Sequence, residues 1–288
     1  MLKFQSKRTF LGFQLLFIFI NLFGYKLVAQ NEPTIFNESR KLMGLSIHTG
    51  SGVYRDFSTS PLFYELPGLG ITFSGIYHTD NTENRFDLDG GIYMWDEQFF
   101  QFNGYYHFLR NLPVLKSPKW NLKVGGALLM TQNLRINSSL QNAQVGYEAF
   151  TNLMLVGKIS RDLSVSQPKP FKCWFIKGTK KPGKRMLSFQ MNIGVLNFNS
   201  RPSTYNYVYL GAIYGTALSL DKLLKEYKWK LNGWRIGTQI DYTWFYPSGN
   251  GRRISYIWDV AHAPGSFEPF DMATHKLQYT ILINNKKR

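Results

Sequence analysis

Apolar and polar side chains alternate with a period of two along most of this chain. From Leu42 to Gly50, Met43, Leu45 and Ile47 share one face, and Gly44, Ser46 and His48 share the other. The pattern recurs over 69–79, 85–95, 99–109, 120–131, 187–195, 234–244 and 277–283, and more weakly over 145–159 and 207–219. Strict alternation is the mark of a strand with two unlike faces. These ten segments predict an all-β, antiparallel fold. Residues 253–258 (RISYIW) and 171–176 (FKCWFI) offer two more strands, which makes twelve the alternative number.

The polar face separates a soluble sandwich from a membrane barrel, since both alternate. A face turned to water is rich in Lys and Glu. Here it is mostly Gly, Ser, Thr, Asn and Gln, with scattered charges of both signs. Spanning strands need about 9–11 residues. Apolar-out, polar-in alternation with aromatic strand ends (Trp95, Trp120, Trp244 and Tyr246 among them) is the signature of a transmembrane β-barrel. The expected outer links are 51–67, 96–98, 132–143, 198–206 and 247–273. The inner ones are 80–84, 110–117, 161–185 and 220–230, with a short helix over Asp221–Lys230.

Ahead of the strands, Lys3, Lys7 and Arg8 precede an apolar run from Phe10 to Gly24, with Ala29 shortly after. A basic head, a short apolar centre and a small residue describe a secretory signal peptide. The run is shorter than the roughly 20 residues a spanning helix needs. The expected layout is a signal over 1–29, a lead-in over 30–41, a barrel over 42–284 and a basic tail over 285–288.

Composition supports an unusual surface. Charged residues are 18% of the chain and aromatics 16%, against about 25% charged in soluble domains. The single cysteine, Cys173, excludes an internal disulfide framework. Setting aside Lys3, Lys7, Arg8 and Lys26 leaves thirty basic and 18 acidic side chains, a net of +12. Such a surface suits anionic partners. Export favours outer-membrane lipids and lipopolysaccharide phosphates over nucleic acid, with a protein partner also open.

The signal ending Val28-Ala29-Gln30, the aromatic alternating strands and the last strand Leu277–Ile283 together resemble outer-membrane β-barrel proteins of Bacteroidota. The likeness is one of general style over nearly the whole mature chain, and it carries no catalytic motif. Many such barrels end on an aromatic residue, whereas this sequence reads Asn284-Asn285-Lys286-Lys287-Arg288.

Three constellations could carry chemistry. His48 and Ser51, in His48-Thr49-Gly50-Ser51-Gly52, are loosely similar to the His/Ser motifs of barrel lipases, where a base activates a hydroxyl. A spacing of three puts them on opposite strand faces, so a lumen histidine followed by a Gly-Ser turn is the plainer reading. Arg85, Asp87, Asp89, Lys123, Lys158, Glu148, Arg235 and Asp241 all fall on the inward face and form an expected network of mutually neutralising charges. Lys169, Lys172, Lys177, Lys180, Lys181, Lys184 and Arg185 form a basic stretch without an acid, read as a solvated hairpin turning at Gly178 or Pro182-Gly183, or as a patch for phosphates. The five histidines, His48, His78, His107, His262 and His275, lack metal-ligand spacing. No metal or cofactor is expected.

The function predicted is a non-enzymatic outer-membrane barrel, either a narrow pore or a structural or accessory protein. Two other classes stay open: a barrel-wall lipid or lipopolysaccharide hydrolase, and a subunit of a secretion or uptake assembly.

Overall fold

The computed structural model describes residues 35–56, 60–95, 97–115, 117–137, 145–173, 176–200, 227–229, 233–264 and 269–285. Ten strands close into an antiparallel barrel: β1 (Arg40–Asp56), β2 (Ser60–His78), β3 (Thr82–Met94), β4 (Gln98–Asn111), β5 (Trp120–Ile136), β6 (Val145–Asp162), β9 (Lys184–Ser200), β11 (Trp234–Phe245), β12 (Gly251–Ala263) and β13 (Phe270–Asn284). Each pairs with the next, and β13 pairs back onto β1 from Leu42↔Asn284 to Asp56↔Phe270. Closure leaves no sheet edge, so every strand finds backbone partners on both sides. Two extra pieces stand outside the ring. β7 (Lys169–Cys173) and β8 (Ile176–Lys180) form a separate hairpin, and β10 (Tyr227–Trp229) adds to the end of β9.

The barrel has two ends. The base carries the start of β1 and the end of β13, with tight turns at 79–81 and 246–250. The crown carries the opposite strand ends, Asp56, Ser60, Met94, Gln98, Ile136, Val145, Ser200, Trp234, Ala263 and Phe270.

Side chains sort by parity, as the pleat requires. Ser46, Thr72, Asp87, Gln101, Thr131, Asn152, Gln190, Gln239, Ser255 and Gln278 are buried inside, whereas Leu45, Ile47, Leu69, Ile71, Phe102, Leu155, Val195, Leu277 and Ile283 are exposed outside. A polar interior and an apolar exterior invert the arrangement of a soluble barrel. A water-facing wall of this kind would expose far more contiguous apolar surface than soluble monomers do. The wall is that of a membrane-spanning barrel. Its outward side chains run in register rows across the strands, such as Tyr279–Ile47–Ile71. A shallow furrow of about 1580 Å³ follows two such rows between β12 and β6.

β9 contains the one change of parity along a barrel wall. Leu153 pairs with Leu196, but Met154 pairs with Gly194, so Val195 is an extra residue. This β-bulge moves the inward set from Ser188 and Gln190 to Asn197 and Asn199.

Several elements differ from the sequence expectation. The 247–273 segment is no single outer link: β12 fills Gly251–Ala263, and the turn at 246–250 lies at the base. β12 contains the 253–258 segment offered as an additional strand, and its alternation is faint because Ile257 and Ala261 face inward while Arg252 and His262 face outward. Tyr227–Trp229 is strand, not part of a helix, and pairs with Phe198–Ser200. The rest of the expected helix, apart from those three residues, and the expected strand over 207–219 lie outside the described residues, as do residues 1–34. The β7–β8 hairpin pairs Cys173 with Ile176, so the chain reverses between these two residues and not at Gly178 or Pro182-Gly183. β1, β2 and β5 run well past the expected strand ends, and the links shrink accordingly. Within 30–41, Ile35–Asn37 form a 3-10 turn.

Candidate functional site

The interior is stacked in layers along the barrel axis. At the crown lies an apolar plug of Tyr54, Leu66, Tyr93, Phe99, Phe150, Phe270 and Met272. Tyr54 stacks on Tyr64 with centroids 5.1 Å apart, and Phe150 on Phe270 at 5.9 Å. Offset aromatic contacts of this kind add to area burial. Arg135 binds the plug to the wall. Its Nη2 donates to Asp56 Oδ2 at 2.7 Å and to Glu148 Oε1, while the guanidinium lies 4.9 Å from the Tyr54 ring centroid. The Tyr54 hydroxyl donates to Glu97.

Beneath the plug, Arg235 donates bidentately to Asp259, at 3.0 and 2.6 Å, and through Nη1 to Thr131 and Asn152. The fork matches a carboxylate in geometry as well as charge. Asp89 is the next hub. It accepts from Lys276 Nζ at 2.6 Å, Thr72 Oγ1 at 2.8 Å and Asn103 Nδ2 at 2.9 Å, with His48 Nε2 at 2.9 Å. A cavity of about 110 Å³ lies among Thr72, Asp89, Asn103, Arg235 and Lys276. It admits a few waters and falls below the roughly 300 Å³ at which ligand pockets begin.

The lower lumen has two further groups. Glu83 takes Lys158 and Lys123, with His107 Nε2 at 3.3 Å and His78 Nδ1 at 3.6 Å. Arg85 pairs with Asp87 at 2.8 Å and reaches Gln239, which donates to Asp241 at 2.7 Å. Ser255 also donates to Asp241 at 2.6 Å, and Arg253 is buried on the neighbouring strand. The base is closed by Ile35, Phe36, Leu42, Phe245 and Leu282. The 3-10 turn that brings Ile35 and Phe36 there is tied by Ile35 N to Asp162 Oδ2 at 3.1 Å.

Among the described residues, seven acids (Asp56, Glu83, Asp87, Asp89, Glu97, Glu148 and Asp241) and seven bases (Arg85, Lys123, Arg135, Lys158, Arg235, Arg253 and Lys276) are buried. The interior therefore carries no excess cation to draw anions through.

All eight lumen charges singled out in the sequence point inward: Arg85, Asp87, Asp89, Lys123, Glu148, Lys158, Arg235 and Asp241. They fall into separate groups at different depths. Glu83, Asp56, Arg135, Arg253 and Lys276 complete those groups. Lys276 already stood on the inward face of its strand, but the other four lay in segments read as links. His48 is 4% exposed inside the barrel, whereas Ser51 lies on the other parity, opposite Pro67 and His275. The two are not brought together as nucleophile and base. His78 and His107 converge on Glu83, and His48 lies apart from them at Asp89. Among the described residues no group of three or more His, Cys, Asp or Glu could hold a metal ion.

The basic stretch is split. Lys169, Lys172, Lys177 and Lys180 occupy β7 and β8, where Lys172 pairs in register with Lys177 and Lys169 with Lys180. Lys181 is exposed. Lys184 meets Glu38, and Arg185 Nη2 donates to the Lys181 carbonyl at 2.7 Å.

No family model matches the chain, and no curated protein matches it at a significant level. Among solved structures it is similar to the translocator domain of the autotransporter NalP from Neisseria meningitidis, at 8% identity and a TM-score of 0.34 over 96% of each chain. The β domain of the Bordetella autotransporter BrkA gives 6% and 0.28 over 84% of this chain and 99% of that one. The P. putida toluene transporter TodX gives 7% and 0.28 over 87% and 91%. The fold described above rests on the strand register and not on these likenesses.

Proposed function

We propose that this chain is a non-enzymatic outer-membrane protein whose barrel is sealed, so that it serves as a structural or accessory element and not as an open pore. One observation carries the reading: charged and polar side chains occupy the lumen between an apolar cluster at either end, and the cavity left among them is only about 110 Å³. Small barrels are filled by their own side chains in general. The base, with both strand termini and two tight turns, is the periplasmic end, and the crown is extracellular. Export by a signal over residues 1–29 and a Bacteroidota-type origin complete the proposal, on the sequence features given above.

Single-channel recording in planar bilayers tests it. The folded protein is expected to show no steady conductance. Ohmic channels from the unmodified protein would restore the narrow-pore reading.

A further inference from the structure

At the base, three arginines stand on the outer wall beside aromatic rings. Arg252 and Arg185 are the register partners of Trp244 on either side, so the three side chains form one outward row across β12, β11 and β9. Arg161, one strand further on, lies over its own register partner Trp120, with Cζ 5.1 Å from the ring centroid. Arg252 lies 5.7 Å from the Tyr246 centroid. Arg161 is opposite Leu187, two residues from Arg185, and such diagonal neighbours are about 7–8 Å apart. Beside the row is a recess of about 930 Å³ between the 246–250 turn and Pro182–Arg185, with Arg185, Trp244 and Tyr246 on its wall.

The nearby acids are already engaged. Glu38 pairs with Arg40 and Lys184, and Asp162 accepts from the backbone N–H of Ile35 and Ser164. Among the described residues no carboxylate forms an ion pair with Arg161, Arg185 or Arg252. Tryptophan and tyrosine settle at the boundary between hydrocarbon and headgroups. An arginine at the same level presents a planar fork that matches a phosphate.

We infer that Arg161, Arg185 and Arg252, with Trp120, Trp244 and Tyr246, form a binding strip for the phosphate headgroups of anionic phospholipid in the leaflet at the base. The inference rests on the outer wall facing lipid, as proposed above. The rings fix the depth, the arginines hold the phosphates, and the recess takes the polar part of the headgroup.

The test uses full-length protein in nanodiscs of phosphatidylcholine with a minor share of phosphatidylglycerol. Mild detergent extraction and native mass spectrometry then read the lipids retained. Wild type is expected to enrich phosphatidylglycerol. The R161Q/R185Q/R252Q variant should lose that enrichment by roughly fivefold per arginine, the worth of one basic group at an anionic surface. A K41Q/R110Q variant, altered elsewhere around the base, should lose clearly less of it per residue removed. If the triple variant does not fold, R161Q and R252Q singly should each show one such factor. Unchanged enrichment in the arginine variants overturns the inference, and so does an equal loss per residue in the K41Q/R110Q control. An integrated, heat-shifting wild type without enrichment overturns the strip alone. Failure to enter any bilayer overturns the membrane reading and the strip together.

Discussion

Arg135 and Asp56 meet across the barrel, with Arg135 Nη2 2.7 Å from Asp56 Oδ2, although they stand on β5 and β1. Both are almost wholly buried, and Glu148 shares the same guanidinium. Removing one partner of a buried pair leaves the other uncompensated, at a cost of about 3–5 kcal/mol. Arg135→Ala is therefore expected to lower the temperature of the gel-shift transition of the folded barrel. It also frees the crown plug, so brief conductance events should accompany the loss of stability. A variant as stable as wild type, with a silent bilayer record, would remove Arg135 from this role.

Glu83 neutralises two lysines at once. Glu83→Gln leaves Lys123 and Lys158 without their carboxylate, again costing about 3–5 kcal/mol. Adding Lys158→Met removes one of the stranded cations. The double variant should be less damaged than the sum of the two single changes, by about 0.5–3 kcal/mol in a double-mutant cycle. Strict additivity would show that the pair is a coincidence of packing.

Val195 is an extra residue of β9 and should tolerate both substitution and deletion. Its side chain is 58% exposed on the wall, so Val195→Ala changes little. Deleting the residue removes the bulge and leaves Gly194, Asn197 and Asn199 inward in unbroken alternation, opposite the same residues of β6. The chain Arg235–Asn152–Asn197–Gly233 should then survive. The deletion variant is expected to keep the heat-shifting species, and its loss would show that the bulge itself is needed.

Glu38 supplies a pH-dependent tie at the base. Burial alone would raise its carboxyl pKa, but hydrogen bonds from Arg40 and Lys184 outweigh that and hold it below the ordinary 4.5. A lowered folded pKa contributes stability above the unfolded value and loses it as pH falls through the folded one. Wild type should exceed Glu38→Gln in thermal stability near neutral pH, by a small margin because the carboxylate is 42% exposed. The margin should close well below pH 4.5. A constant margin would assign the effect to packing instead.

Which face of each strand points inward could be read from the alternation, because the pleat admits no other period. That sufficed to orient Arg85, Asp87, Asp89, Lys123, Glu148, Arg235 and Asp241. Strand ends could not be read this way. Beyond the hydrocarbon the outward positions become polar, as at Thr49, Ser51 and Arg55, and the contrast that marks a strand fades. The pattern therefore leaves Asp56 and Arg135 in links. Glu83 was lost for a related reason, since β3 begins directly at a turn. Partnerships needed the register. Lys276 finds Asp89 only when β13 has closed onto β1, which no single strand encodes.

That closure governs how the molecule can be assembled. Lys276 and Asp89 are 187 residues apart in sequence, Arg235 and Thr131 104, and Lys158 and Glu83 75. In an open sheet of the same strands, about 4.8 Å apart, Lys276 and Asp89 would stand seven strands or roughly 34 Å from one another, and the other two pairs roughly 14 Å, each charge without its partner. The seam between first and last strand thus works as a latch: the electrostatic reward arrives at the final click, and a partly zipped intermediate has little reason to persist.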